Sequence, residues 1–231
     1  MSTEPVSYTL EGSTAVIRMD DGKANALSDA MIDALLGALV KAEGEAAAIV
    51  LAGRADKFCA GFDLRTMMSG PEHAKALLHK GSQLLLGLYG IPLPLVVACT
   101  GHALAGGALV VLTGDVRIAT AGAFRIGLNE VSIGLPVPVL AMELARDRLT
   151  AAALPHATLG ARIYNPDEAA VAGYVDEVVA ADALMPRALA EAARLGALPR
   201  APYKATKQRL RGRTIDYIRT AMEEDLRSLM S

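Results

Sequence analysis

Residues 6–10 and 14–19 alternate apolar and polar side chains with the period of two that buries one face of a strand. Glu11-Gly12-Ser13 separates them as a turn, so the chain is predicted to open with a β-hairpin. The period then changes. Met31, Ile32, Leu35, Leu36, Leu39 and Val40 recur at spacings of three and four behind Ser28, which predicts a capped amphipathic helix ending near Gly44. Residues 47–51 and 95–99 are short, continuously apolar runs closed by Gly53 and Gly101, the pattern of buried parallel strands. A helical pattern over 72–88 lies between them, and a further strand is expected at 116–119 after the apolar stretch 107–113. Repeated strand–loop–helix units of this kind predict the α/β class.

Helical periodicity dominates from residue 139 onward, over 141–148, 151–159, a segment opened by Asn165-Pro166 with Glu168 at N3, and 183–198. Only 174–179 interrupts as a strand. Pro199 and Pro202 bracket a predicted boundary between a core of residues 1–198 and a C-terminal helical segment, 199–231, made of helices at 203–210 and 214–230. Ile215, Ile218, Met222, Leu226 and Leu229 form one stripe on the last helix, which is expected to pack on the body or on a neighbouring subunit. No internal repeat or low-complexity segment is visible.

Composition narrows the function classes. At 231 residues, with 52% apolar and 21% charged side chains, the chain can bury a substantial core and is not a disordered one. A net charge of −2 gives no general attraction to nucleic acid, so any anionic ligand must be held by local positive charge. Met1-Ser2-Thr3-Glu4-Pro5 lacks a basic and then apolar leader, so a cytoplasmic location is expected. The apolar stretches near 93–99 and 103–113 are broken by Gly and Pro and too short to span a bilayer, which argues against a membrane partner. Cys59 and Cys99 sit among small or apolar residues without a second Cys or His at ligand spacing. They read as reduced core thiols, and no metal site is expected.

Two loops carry candidate chemistry. In Phe58-Cys59-Ala60-Gly61-Phe62-Asp63-Leu64, small residues follow a strand-like run and Asp63 can begin a helix. In Gly101-His102-Ala103-Leu104-Ala105-Gly106-Gly107-Ala108-Leu109, the glycines lie just ahead of a helical apolar stretch, where free N–H groups and the positive helix end face one point. Either loop alone is an ordinary strand-to-helix turn, but two convergent N–H donors would form an oxyanion hole. Gly106-Gly107 lacks the spacing of a nucleotide fingerprint, and there is neither a P-loop nor a G-x-S-x-G elbow. His102 has no Ser, Cys or Asp partner beside it and reads as a structural residue. Arg146, Asp147 and Arg148 read as a solvated helix face.

Together with Asp21-Gly22-Lys23-Ala24-Asn25-Ala26-Leu27-Ser28, Asp115, Arg117 and Ile126-Gly127-Leu128-Asn129-Glu130-Val131-Ser132-Ile133-Gly134-Leu135, these loops resemble the crotonase superfamily, the enoyl-CoA hydratase/isomerase family, across essentially the whole chain. The resemblance implies a crotonase-type α/β spiral of β-β-α units with a C-terminal helical appendage. It further implies an acyl-CoA thioester substrate, no cofactor beyond the CoA moiety of that substrate, and assembly as a homotrimer or a dimer of trimers. By motif match it assigns the oxyanion donors to the N–H groups of Ala60 and Gly106. It puts Lys23, Ala24, Ala26, Leu27, Ala60, Gly61, Phe62, Asp63, Leu64 and Gly107 along the CoA and substrate. Tyr203, Lys204 and Lys207 fall where some members reach toward CoA phosphates.

Glu130 matches the later of the two glutamates used by hydratases of the family, whereas the earlier position is Leu109. Leucine cannot exchange a proton, so the pair that would activate water and protonate the alkene loses one member. The segments around Gly106 and Glu130 resemble the Δ3,Δ2-enoyl-CoA isomerases, which work with one glutamate. Isomerisation with Glu130 as the catalytic base is therefore the leading expectation. An enoyl-CoA hydratase or other acyl-CoA lyase or hydrolase is the alternative within enzymes, and a noncatalytic acyl-CoA-binding protein the alternative outside them. A carboxylate flanked by Leu128, Val131 and Ile133 would be made more basic by desolvation. Acyl length depends on a pocket that the 67–88 region is expected to help form.

Overall fold

The computed structural model describes residues 4–228. In chain order it contains β1 (Val6–Glu11), β2 (Thr14–Met19), α1 (Asp29–Glu45), β3 (Ala48–Ala52), β4 (Asp56–Cys59), α2 (Leu64–Met68), α3 (Pro71–Gly90), β5 (Leu95–Cys99), β6 (Gly101–Leu104), α4 (Gly106–Thr113), β7 (Val116–Thr120) and β8 (Ile126–Gly127). A one-turn 3-10 helix (Val131–Ile133) comes next, then α5 (Val139–Arg148), α6 (Leu154–Ala157), α7 (Pro166–Ala172), β9 (Glu177–Val179), α8 (Leu184–Gly196) and α9 (Arg200–Ser228).

The predicted hairpin is present, with Val6 opposite Met19 and Glu11 opposite Thr14. It forms the edge of a six-stranded sheet in the order β1-β2-β3-β5-β7-β9, in which every pairing after the first is parallel. All residues of β3 and β5 are buried, because helices cover both faces of the sheet. Ile49, Leu51, Leu95 and Val97 enter the main core with Leu35, Leu84 and Leu88. Val50, Val96, Ala98 and Ile118 face Leu184, Ala188 and Ala192 of α8 in a second core. A separate three-stranded parallel sheet, β4-β6-β8, has no counterpart in the hydrophobic pattern.

Capping chemistry behaves as the sequence predicts at α1, where the Ser28 hydroxyl accepts the Met31 N–H, and at α7, where Asn165 and Glu168 form a reciprocal capping box. The 151–159 segment is helical only over α6, since Pro155 lacks an N–H and confines the helix start to its own neighbourhood. The strand expected at 174–179 is limited to β9.

The two C-terminal helices expected from the sequence are one helix of 29 residues. Pro202 falls in its first turn, where a missing N–H breaks no bond, so the prolines mark a helix start. Gly212 costs about 1 kcal/mol in a helix interior but does not interrupt it, because the preceding turns are anchored. Arg211 donates to the carbonyls of Tyr89 at 2.6 Å and Thr113 at 3.1 Å and lies 2.8 Å from Asp115. Its guanidinium stacks 4.4 Å above the Tyr89 ring. The Lys207 ammonium donates to the Leu93 carbonyl at 3.1 Å and to Asp115 at 2.7 Å, so this buried amine is not free to meet a CoA phosphate. Lys204 is exposed. Burial alone would raise the Asp115 carboxyl, but Lys207 and Arg211 hold it below its ordinary range. Ile218 and Leu226 of the predicted stripe are buried and Ile215 packs against the core, whereas Leu229 and Met230 lie outside the described residues.

The 146–148 face is only partly solvated. Arg146 is exposed, but Asp147 accepts the Tyr89 hydroxyl and Arg148 donates to the carbonyls of Leu112 at 3.1 Å and Gly114 at 2.6 Å. Among the described residues, no helix is long and apolar enough to cross a membrane. Replacing Arg211 by Met strands Asp115 beside a single remaining cation and leaves two carbonyls without their donor. Urea denaturation should show a loss of about 3 kcal/mol, against less than about 0.5 kcal/mol for Leu210→Ala on the exposed face of the same helix.

Candidate active site

The small sheet brings the sequence-predicted loops together. Its strands run parallel with β6 in the centre, Lys57 opposite His102 on one side and Leu104 opposite Gly127 on the other. All three C-terminal ends therefore lie along one edge, and adjacent parallel strands are about 4.8 Å apart. β4 delivers the 60–63 loop to that edge, β6 delivers Ala105 and Gly106, and β8 delivers Leu128, Asn129 and Glu130.

In the first loop, Gly61 adopts φ +94° and the chain turns back along Leu27. The Leu27 N–H donates to the Gly61 carbonyl at 2.8 Å and the Asp63 N–H to the Leu27 carbonyl at 3.3 Å. These flanking bonds turn the intervening Phe62 N–H away from Leu27, and no acceptor among the described residues takes it. Ala60 differs: its N–H donates to the Ala24 carbonyl at 3.0 Å. The assignment of Ala60 as an oxyanion donor is thus corrected, since an amide already satisfied inside the protein is not available, and the free amide of this loop belongs to Phe62. Asp63 caps α2 by accepting the Arg65 and Thr66 N–H groups, and Leu64 is exposed.

In the second loop, Ala105 takes φ +48°, a rare conformation for a residue with a Cβ, and its N–H donates to the Gly127 carbonyl at 3.0 Å. Gly106 opens α4 with an N–H that has no intrahelical acceptor. A side chain on Gly61 would come within 3.2 Å of that nitrogen, which shows how closely the first loop passes it. A Cβ on Gly107 would meet the Cys59 carbonyl at 2.0 Å, so only glycine allows the two loops this approach. The free N–H groups of Phe62 and Gly106 are consequently neighbours, reinforced by the positive end of α4.

Glu130 is buried, and its Oε2 has no hydrogen-bond partner. Burial raises its pKa, an effect that the backbone amides of Glu130 and Asn129 offset in part. Val131 and Ile133 are exposed at 44% and 54%, so among the flanking residues named from the sequence only Leu128 is buried beside the carboxylate. Leu109 is buried one helical turn after Gly106 and lines a cavity of about 30 Å³ with Phe62. The carboxylate lining that cavity, Asp225, accepts the Val139 N–H at 2.8 Å and so caps α5.

Asn25 is a residue whose importance the sequence reading missed. Fully buried at φ +53°, it donates its amide to the carbonyls of Met19, Lys57 and Phe58 at 3.0–3.1 Å and accepts the Asp21 N–H. Asp21 in turn accepts the N–H groups of Lys23, Asn25 and Ala26. This clasp presses Ala24 and Leu27 against the first loop, while Lys23 stays exposed and Ala26 half-buried. An Asn tolerant of left-handed φ within a Gly-containing turn was the available signal. His102 accepts the Arg125 N–H and packs edge-on to Phe124, a structural role. Burial pushes the thiols of Cys59 and Cys99 up to about 12, which leaves them unreactive.

Residues 9–231 match the family model described as enoyl-CoA hydratase/isomerase. The chain belongs to that family. It is 31% identical over 222 residues to the human mitochondrial enoyl-CoA delta isomerase 1, covering 94% of this chain and 74% of that protein. A probable enoyl-CoA hydratase of Rhodobacter capsulatus is 38% identical over 136 residues, 55% of this chain and 53% of that one. The crystal structure of an enoyl-CoA hydratase/isomerase family protein from Pseudomonas syringae superposes with a TM-score of 0.96 at 38% identity, covering 99% of this chain and 100% of that one. The fold is therefore the crotonase fold, with a long C-terminal helix, and the protein is an enzyme of the hydratase/isomerase family.

Asn25→Ala removes donors from three carbonyls and places a Cβ-bearing residue with no compensating side chain in the left-handed region. A loss of about 3 kcal/mol in thermal or urea denaturation is expected. Asn25→Gly, which relieves the backbone but not the hydrogen bonds, should recover about 1 kcal/mol of it.

Proposed function

We propose that this enzyme moves the double bond of a 3-enoyl-CoA to the 2-trans position, with Glu130 as the sole proton carrier. One observation supports it above the rest: a buried carboxylate with an unpartnered oxygen lies on the same sheet edge as two free amides, while Leu109 occupies the place of a second acid. The similarity to the human isomerase points the same way.

In this mechanism the thioester oxygen accepts the N–H groups of Phe62 and Gly106. Both bonds strengthen as negative charge moves onto that oxygen, so they stabilise the dienolate more than the substrate. Glu130 removes a C2 proton, the electron pair delocalises into the thioester, and the same carboxyl returns the proton at C4 as the double bond settles between C2 and C3. A single base suffices because the proton taken equals the proton given. Desolvation makes the ionised Glu130 a stronger base for the C2 proton, and the strongly basic dienolate carbon at C4 then takes that proton back from the neutral carboxyl. On this reading Ala24, Ala26, Leu27, Asp63, Leu64 and Gly107 belong to the segments that border the thioester arm of CoA, and Lys23, which is exposed, would meet a phosphate. No group beyond the CoA of the substrate is required.

Glu130→Gln should lower isomerisation of 3-hexenoyl-CoA, followed by the absorbance of the conjugated thioester, by roughly 10²–10⁴-fold. The base must be ionised and its pKa is raised, so the acidic limb of kcat/KM for the wild type should lie above the ordinary glutamate range. For an acid with a raised folded pKa, the ionised form destabilises the fold at pH above that value, and the effect vanishes at pH below the unfolded pKa. Glu130→Gln should accordingly raise Tm at neutral and alkaline pH, with the advantage disappearing in acid. Rapid hydration of crotonyl-CoA by the wild type would favour the hydratase reading, and tight binding without turnover the noncatalytic one.

The same reading includes assembly as a homotrimer or a pair of trimers. Val131, Ile133 and Leu135, at 44%, 54% and 42% exposure, leave an apolar run open directly after Glu130. Sedimentation velocity should find a multiple of three chains, and Ile133→Lys should shift the population toward monomer; a wild-type monomer would remove this element.

A further inference from the structure

The Phe62 side chain occupies an unusual place for a residue whose backbone N–H is a proposed oxyanion donor. Its ring bridges α3 and α4. A Cβ built on Gly81 of α3 would lie 2.1 Å from Phe62 Cε1 and 2.6 Å from Cζ, so this ring edge fills the space of a side chain that α3 lacks. The opposite edge meets α4, where a Cβ on Gly106 would lie 3.1 Å from Cδ2 and Cε2. Both helix positions are glycine, and the ring fits between them.

The ring also lines the cavity of about 30 Å³, room for about two water molecules. Its walls are mainly apolar side chains, including Leu78 and Leu85, which flank Gly81 on α3, with Leu109 and Ile218, and Ser82 and Asp225 are the polar members. An acyl chain whose carbonyl is held at the Phe62 and Gly106 amides starts beside this ring. The space between α3, α4, α5 and α9 is bounded by that ring and is too small, with the ring in place, for a long acyl tail.

We propose that the Phe62 ring is the residue that sets acyl length, closing the apolar space between α3 and α9 so that the enzyme favours short acyl chains. The inference rests on the acyl-CoA reading above. It assigns two functions to one residue: the backbone holds the thioester oxygen and the side chain limits the length of the acyl tail. Because the two parts are chemically separate, shortening the side chain leaves the backbone donor in place.

The test measures binding of saturated hexanoyl-, octanoyl- and decanoyl-CoA by calorimetry to the wild type, Phe62→Leu and Phe62→Ala, with Tm recorded for each so that unfolded protein is excluded. For the wild type, affinity should stop rising after hexanoyl-CoA. In Phe62→Ala, each methylene that newly finds apolar cover should tighten binding about fourfold, or roughly 250-fold from hexanoyl to decanoyl at most. Phe62→Leu, which keeps an apolar filler and the fold, should lie between them. Turnover of matching 3-enoyl-CoAs should follow the same order in kcat/KM. The same length profile in all three proteins, as when the tail leaves across exposed Leu64 and Met68, would overturn the inference while sparing the acyl-CoA reading. Wild-type protein that binds decanoyl-CoA far better than hexanoyl-CoA also overturns it. Failure of every acyl-CoA to bind the wild type would instead remove the functional reading on which it rests.

Discussion

The parallel pairing of β4, β6 and β8 is the constraint on which the site depends. The strands are only four, four and two residues long, too short to specify their register by hydrophobic alternation. Close backbone contact specifies it instead. A Cβ on Gly101 would overlap the Asp56 carbonyl group, and one on Gly107 the Cys59 carbonyl, so the ends of β4 and β6 can meet only where both positions lack side chains. The Ala105 N–H then ties the second loop to Gly127 at the end of β8. With those contacts made, two amides and a carboxylate that are distant in the chain share one edge.

Charge is distributed around that edge in a way that suits the proposed proton transfer. A buried ionic network, Asp115 with Lys207 and Arg211, lies along α9 and anchors the helix to the core. α9 then carries Ile218, Met222 and Leu226 to the apolar cavity beside Leu109. Around Glu130 the opposite holds: the carboxylate is buried without a paired cation, so its basicity rises. A salt bridge in the same place would have lowered the pKa and weakened the base. The fold thus uses its paired charges to fix position and leaves the Glu130 carboxylate unpaired, as the proposed proton transfer requires.

Elements with a long, regular period were legible in the sequence. The opening hairpin, α1 with its Ser28 cap, the buried β3 and β5, and the capping box of α7 all follow from side-chain pattern and local hydrogen bonding. Where local signals compete with tertiary packing they misled. Pro199, Pro202 and Gly212 suggested a break, yet α9 is continuous because Lys207 and Arg211 bind partners from residues 89 to 115 that no local window contains. Arg148 and Asp147 looked like surface charge for the same reason.

The residue types at the site show the division most clearly. The sequence by itself determined that two small-residue loops precede helices and that a lone glutamate follows them, because these are matters of side-chain chemistry and spacing; that Leu109 stands where hydratases carry a second acid came from the family resemblance. It could not determine which amide in the 60–62 stretch is free. That depends on which N–H is consumed by a neighbour, and the neighbours, Ala24 and Leu27, are placed by the Asn25 clasp more than thirty residues away from the loop they satisfy. Tertiary structure decided that the Ala60 amide is occupied and the Phe62 amide is not, since a backbone amide has the same chemistry at every position and only its surroundings give it a role.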